Sequence, residues 1–270
     1  METCKTDRLT RQRRALLRGR VEMASILIGK YTIENPTQII PGVADICLMS
    51  KELRDVILES DPVVTVDESS FDNWLTSLPD ICQAWRRSKD AFLASLLPSP
   101  AFSIDDSDVY RFQLATTYFT CNECLGLILY PRILAHTCMT SDTKRSASQV
   151  DLNVDELWNV VRSSPWNHIG DKVRLHEDAF NAARLVVLAC GKDPAVTTAA
   201  QMDQLDARVE CRSCSAGRIA MTWRAAVCML FSAHHILNLF LILLVLTSRS
   251  HTVSAADMSI PLFPGSLWTK

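Results

Sequence analysis

The sequence predicts a mainly α fold: a helical N-terminal domain, a small α-rich domain carrying two Cys-x2-Cys knuckles, and a long hydrophobic C-terminal helix. Three observations predict it. Apolar residues recur three and four apart through most of the first hundred positions, the period of one helix face. Cys121/Cys124 and Cys211/Cys214 stand apart from that pattern in the second half of the chain. From Ala225 to Ser248, twenty-four residues run without Asp, Glu, Lys or Arg.

Taken in order, residues 8 to 29 place Leu9, Leu16, Leu17, Met23, Ile26 and Leu27 at helical spacing. Arg8, Arg11, Arg13, Arg14, Arg18 and Arg20 form a solvated face of the same helix, which is expected to end near Lys30. Pro36 and Pro41-Gly42 mark a loop. Val43 to Glu59 and Ser70 to Leu78 read as helices around a turn at Asp61-Pro62. Ile81, Trp85, Ala91, Phe92 and Leu96 predict a further helix over 79–97, stopped by Pro98-Ser99-Pro100. The helical domain is thus 1–97, and an acidic linker follows over 98–109.

The second domain, 110–224, holds both knuckles with a helical insert between them. Thr140 to Gln149 is polar and reads as a loop. Val154 to Val161 and Leu175 to Cys190 read as helices, the latter with Gly191 as its C-terminal cap. Thr198-Ala-Ala-Gln201 has the spacing of a capping box and predicts a short helix through Leu205 that leads to Cys211.

Cys121-Asn-Glu-Cys124 is followed after eleven residues by His136-Thr-Cys138. A Cys-x2-Cys turn presents two thiolates from one tight loop, and His136 and Cys138, two positions apart, project to the same side of an extended segment. Cys121, Cys124, His136 and Cys138 are therefore expected to close a tetrahedral zinc site, and Cys211 and Cys214 are expected to begin a second. A DNA-reading finger is disfavoured, because Leu125 to Ala135 is almost wholly apolar with Arg132 its only charge.

Ten cysteines would suit a secreted disulfide protein if an apolar leader preceded them, but the N-terminus is Arg-rich and polar. The expectation is an intracellular protein of nucleus or cytoplasm, with Cys4, Cys47, Cys82 and Cys190 free or buried. Lys plus Arg number 28 against 30 Asp plus Glu, a net charge of −2, so no general attraction to nucleic acid or anionic membrane is implied. Phosphate-loop, Gly-x-Ser-x-Gly and His-Glu-x-x-His patterns are missing. A thiol hydrolase using Cys190 with His168 or His176 is a distant reading, since both histidines are expected at the surface. The chain thus reads as a non-enzymatic interaction protein.

Several segments together carry a resemblance. They are Leu78-Pro79-Asp-Ile-Cys-Gln-Ala-Trp85-Arg86-Arg within Asp72 to Leu97, Phe119-Thr-Cys121-Asn-Glu-Cys124, Tyr130-Pro131, His136-Thr-Cys138, Leu205-Asp-Ala-Arg208, Cys211-Arg-Ser-Cys214 and Met221-Thr-Trp223-Arg224-Ala-Ala. Over residues 30 to 227 the chain resembles the C-terminal region of uncharacterised F-box-type proteins of mushroom-forming fungi. The resemblance implies a protein-binding part of a ubiquitin-ligase adaptor, with a ligase scaffold as partner. No Leu-Pro-x-Glu start of an F-box is present here.

The apolar stretch 225–248 has two main readings, beside a third as a buried core helix. It is long enough, at about 1.5 Å per residue, to span a bilayer of about 30 Å, which would make the protein tail-anchored with a cytosolic zinc-binding domain. Against a span, His234 and His235 fall near its middle. Alternatively the stretch is a retained intron: removing Cys228 to Ser250 joins Val227 to His251 and gives the second knuckle Cys-x2-Cys-x13-His, close to the Cys-x2-Cys-x11-His of the first. Residues 249–270 form a tail.

Overall fold

The structure is a computed structural model and describes residues 2–59, 61, 64–97, 111–141, 157, 160–211, 220–234 and 243–246. It is mainly helical, as expected, with small sheets that the sequence reading does not give. The expected linker 98–109, Cys214, His235, His251 and the tail 249–270 lie outside the described residues. The chain clusters into two compact units, 1–105 with 120–174, and 106–119 with 175–270. The first knuckle therefore belongs with the N-terminal helices.

In the first unit, α1 (Glu2–Glu34) is longer than the sequence predicts, and the Asn35 side chain ends it by donating to the Tyr31 carbonyl at 2.9 Å. Arg20 is not on the solvated arginine face. It is 4% exposed, and its guanidinium donates to the Ile57 and Glu59 carbonyls at 3.0 and 2.6 Å, satisfying the open C-terminal end of α3. Val43 to Glu59 is two helices, α2 (Val43–Met49) and α3 (Lys51–Leu58). The break is Ser50, extended at φ −107° and ψ 114°, whose hydroxyl accepts the Leu53 N–H.

A one-turn 3-10 helix over Glu68–Phe71 then leads into α4 (Asp72–Ser95), which is continuous through Pro79 where the sequence predicts two helices. Proline removes one backbone donor, but Trp74, Leu78, Cys82 and Trp85 stay buried on one side of the helix across it. That unbroken apolar face outweighs the lost hydrogen bond. The core joins Leu17, Val21, Ala24, Leu27 and Ile28 of α1 to Ile46 and Cys47 of α2, Leu53 and Ile57 of α3, and Phe71, Trp74, Leu78 and Cys82. Leu157 and Val160, from the described part of the helix expected over 154–161, complete it. Burial pushes the Cys47 thiol up to about 12 and the Cys82 thiol up to about 11, so both are inert core residues, as the sequence suggests.

Strands β1 (Phe119–Cys121), β2 (Leu127–Ile128) and β3 (Val173–Leu175) form a small sheet in the order β2-β1-β3. In the second unit, α5 (Glu177–Ala189) buries Ala179, Ala182, Ala183, Val186 and Val187, and Gly191 at φ 68° caps its end. Thr198 and Gln201 form the expected capping box at the start of α6 (Ala199–Leu205). His176 is not at the surface. It is 6% exposed, and its Nδ1 accepts the Ala179 N–H as the N-cap of α5.

The apolar C-terminal stretch is not one long helix. α7 is described over Trp223–His234, and Leu243–Leu246 is a strand, β6, antiparallel to β4 (Arg208–Cys211), which also pairs with β5 (Ala220–Thr222). A run of Leu, Ile and Val suits a strand as well as a helix, and over 243–246 it pairs with β4. Among the described residues no helix is long and apolar enough to cross a membrane. Leu230, inside the segment that the intron reading would remove, is 1% exposed.

Candidate metal centre

β1 delivers Cys121, fully buried, to the start of a tight turn. The turn is closed by Leu125 N–H donating to the Cys121 carbonyl at 2.8 Å and by Cys121 N–H donating to the Gly126 carbonyl at 3.1 Å. Leu125 takes the left-handed conformation, φ 56°, and is 68% exposed. A Cβ on Gly126 would meet Cys124 Sγ at 3.2 Å, a tight contact that the sulfur would have to yield to by a few tenths of an ångström.

The other two donors come from a pair of 3-10 turns, Arg132–Ala135 and Thr137–Thr140. His136 joins them in an extended conformation, φ −73° and ψ 124°, while Cys138 lies inside the second turn. The two do not share one extended segment, as the sequence suggests. The turn curls Cys138 back toward the knuckle instead. One ligand atom from each of Cys121, Cys124, His136 and Cys138 lies within 4.8 Å of all the others, and Cys124 Sγ is 3.3 Å from His136 Nε2. The four residues could hold a metal ion.

Their electrostatics point the same way. The Gly126 amide hydrogen bond leads the effects that lower the Cys124 thiol below its ordinary value, with Cys121 and Cys138 adding to it. Cys138 is raised to about 11, by desolvation first and then by the neighbouring sulfurs Cys121 and Cys124. A divalent cation at the centre of these donors would offset the repulsion between sulfurs brought this close.

Lys172 and Ser141, which tie the two ligand-bearing turns together, were not legible in the sequence. Lys172 Nζ, its side chain only 10% exposed, donates to the Cys138 carbonyl at 2.9 Å and to the Ser141 carbonyl, and pairs with Glu123 at 3.1 Å. Ser141 Oγ bonds both Glu123 and the Cys138 carbonyl at 2.7 Å. One ammonium therefore ties the turn between the first two cysteines to the turn that carries the last. Asn122 N–H donates to the Lys172 carbonyl at 2.8 Å, and Arg174 Nε donates to Asn122 Oδ1 at 3.1 Å.

The segment between the ligand pairs is anchored to α4. Arg86 donates through Nε and Nη2 to the Tyr130 hydroxyl at 3.1 and 2.9 Å and stacks on its ring at 5.1 Å. Trp166 donates from its indole to the Ile133 carbonyl at 3.2 Å, and its backbone N–H reaches both oxygens of buried Asp45. Asp45 also accepts from Trp85 Nε1 at 2.8 Å and lies 3.7 Å from Lys89. Thus Trp85, Arg86 and Tyr130, singled out by sequence, are braces of the ligand segment. In the second unit Trp223 Nε1 and Arg224 likewise converge on Asp203, at 2.7 to 2.9 Å.

Cys211 closes β4, and Cys214 lies outside the described residues, so the second pair has no described geometry. His176 and Cys190 cap opposite ends of α5, and burial raises the Cys190 thiol to about 11. Thirteen residues of helix put them about 20 Å apart, so they do not form a nucleophile and base.

Fold and cluster together define the class: a mainly helical protein with a Cys3His cluster able to hold a metal ion. Comparison with protein-family models, with curated proteins and with solved structures finds no match.

Proposed function

We propose that zinc closes the Cys121, Cys124, His136 and Cys138 cluster, and that the protein is a non-enzymatic, zinc-stabilised protein-interaction module. The observation that carries the zinc reading is the convergence of four soft donors within 4.8 Å. Three thiolates and an imidazole suit zinc over harder cations, and four protein ligands fill a tetrahedron without leaving room for a reactive water. A structural role follows from that closure. Cys211 and Cys214 are the proposed start of a second zinc site. The partner class, a ubiquitin-ligase scaffold and its substrates, is supported by the resemblance of the knuckles and the Trp-Arg segments to F-box-type proteins.

Elemental analysis of freshly purified protein, prepared without chelators, is expected to show zinc, and Cys121→Ser is expected to lose one equivalent and to unfold at lower temperature. Zinc-free wild-type protein would overturn the zinc reading. Proximity labelling with the full chain in its native cells is expected to enrich ubiquitin-ligase subunits. Enrichment no greater than a control would remove the ligase partner and leave the zinc site standing.

A further inference from the structure

The net charge of −2 conceals a strong local imbalance at the start of α1. From Arg8 to Arg18 there are five arginines and no acidic residue, with Asp7 and Glu22 the nearest carboxylates along the helix on either side. A helix turns about 100° per residue, so Arg8, Arg11, Arg14 and Arg18 fall within an arc of about 120°. That arc is centred about 120° round the helix from Leu17, Val21, Ala24, Leu27 and Ile28, which turn into the core. All four arginines are exposed, and among the described residues none of their guanidinium groups has a hydrogen-bond or ion-pair partner. Glu59 lies beside Arg20, which is buried on the core side of the helix.

The same segment stands clear of its own unit. From Arg8 to Leu16 every side chain is exposed except half-buried Arg13, and Leu17 is the first to be fully buried. That stretch of helix, about 14 Å long, is open to solvent nearly all round. An α-helix with its side chains is about 10–12 Å across, and the major groove of B-form DNA, about 12 Å wide, admits one. The four arginines spread over about 15 Å of the axis, and a guanidinium fork pairs well with phosphate oxygens. The major groove of duplex RNA is too deep and narrow for the same approach. A bilayer also fits less well. Leu9 and Leu16 are 64% and 49% exposed, but they lie about 150° round the helix from the centre of the arginine arc, so a flat anionic surface cannot take both groups at once.

We propose that the arginine face of α1 binds duplex DNA through its phosphates, with Arg8, Arg11, Arg14 and Arg18 as the contacts and no reading of base sequence. The contact is electrostatic and does not rest on the metal site. Release of counterions from the DNA drives it, so its affinity falls steeply with salt.

Fluorescence anisotropy of a labelled random-sequence DNA duplex titrated with the full chain, at several salt concentrations, tests this. Four phosphate contacts predict a log–log salt slope of about −3.6, which is roughly a 150-fold loss of affinity between about 50 and 200 mM salt. Arg→Gln at any one of the four positions is expected to flatten the slope by about 0.9. Arg8→Gln/Arg11→Gln/Arg14→Gln/Arg18→Gln is expected to abolish binding at low salt with unchanged circular dichroism, since all four side chains face solvent. Arg8→Lys/Arg11→Lys/Arg14→Lys/Arg18→Lys is expected to keep the slope, because the charges remain. Leu9→Ser/Leu16→Ser is expected to bind as the wild type does. No binding at low salt, a slope indifferent to the Arg→Gln substitutions, or tighter binding to phosphatidylserine vesicles, to duplex RNA or to polyglutamate would each overturn the proposal.

Discussion

Lys172 illustrates how a residue distant from the ligands in sequence can control them. Its ammonium holds the Cys138 carbonyl and the Glu123 carboxylate together, so it sets the separation of the two ligand-bearing turns. Outer partners of this kind typically change metal affinity by about 10- to 100-fold. Lys172→Met, which keeps the length of the stem, is expected to weaken the proposed zinc binding about tenfold in competition with a chromophoric chelator. Unchanged affinity would show that the ligands position themselves. Asp45 supplies a pH test. Burial leads the effects on its carboxyl and raises it above the usual carboxylate range, in spite of the opposing hydrogen bonds from Trp85 and Trp166 and the charge of Lys89. A folded value above the unfolded one means that the native state takes the proton first. The cost of the buried charge is therefore present at neutral pH and is relieved as pH falls through the raised value. Asp45→Asn never carries that charge, so its urea midpoint is expected to fall further behind wild type at pH 5 than at pH 7. A deficit that stays level or shrinks would contradict this sign.

At the scale of elements, the breaks and joins depend on caps and buried faces more than on propensity. Ser50 separates α2 from α3 through one hydrogen bond to the Leu53 N–H, while itself 2% exposed. Ser50→Ala is expected to cost about 1 kcal/mol of stability in denaturant titration, the usual worth of an N-cap. α4 shows the opposite case, since Pro79 fails to divide it. The same helix presents Trp85 to Asp45 and Arg86 to Tyr130, one residue apart and on different partners. A helix advances about 100° per residue, so adjacent positions can brace two different neighbours. That is a physical account of the Trp-Arg pairing, and it makes these residues supports of the ligand segment.

For the whole molecule, metal and fold are expected to be linked within one unit. Cys121, Cys124, His136 and Cys138 cluster with the N-terminal helices, while α5 to α7 belong to the other unit. Because metal binding and folding share free energy, a chelator is expected to speed amide exchange over 119–141 and in α4, and to leave α5 unchanged. Equal acceleration in α5 would mean that the two units unfold together.

The sequence by itself determined the chemistry of the site and the positions of most helices. Thiol and imidazole donors at Cys-x2-Cys-x11-His-x-Cys spacing, the Thr198 capping box and Gly191 after α5 are local signals. Each is decided within a few residues by donor type or backbone freedom, and each could be read along the chain. Tertiary structure decided what depends on distant partners. Lys172 meets Cys138, Arg20 turns inward to the end of α3, and His176 is buried as a cap. Leu243–Leu246 pairs with β4 because an apolar run adopts whichever backbone its neighbour can satisfy.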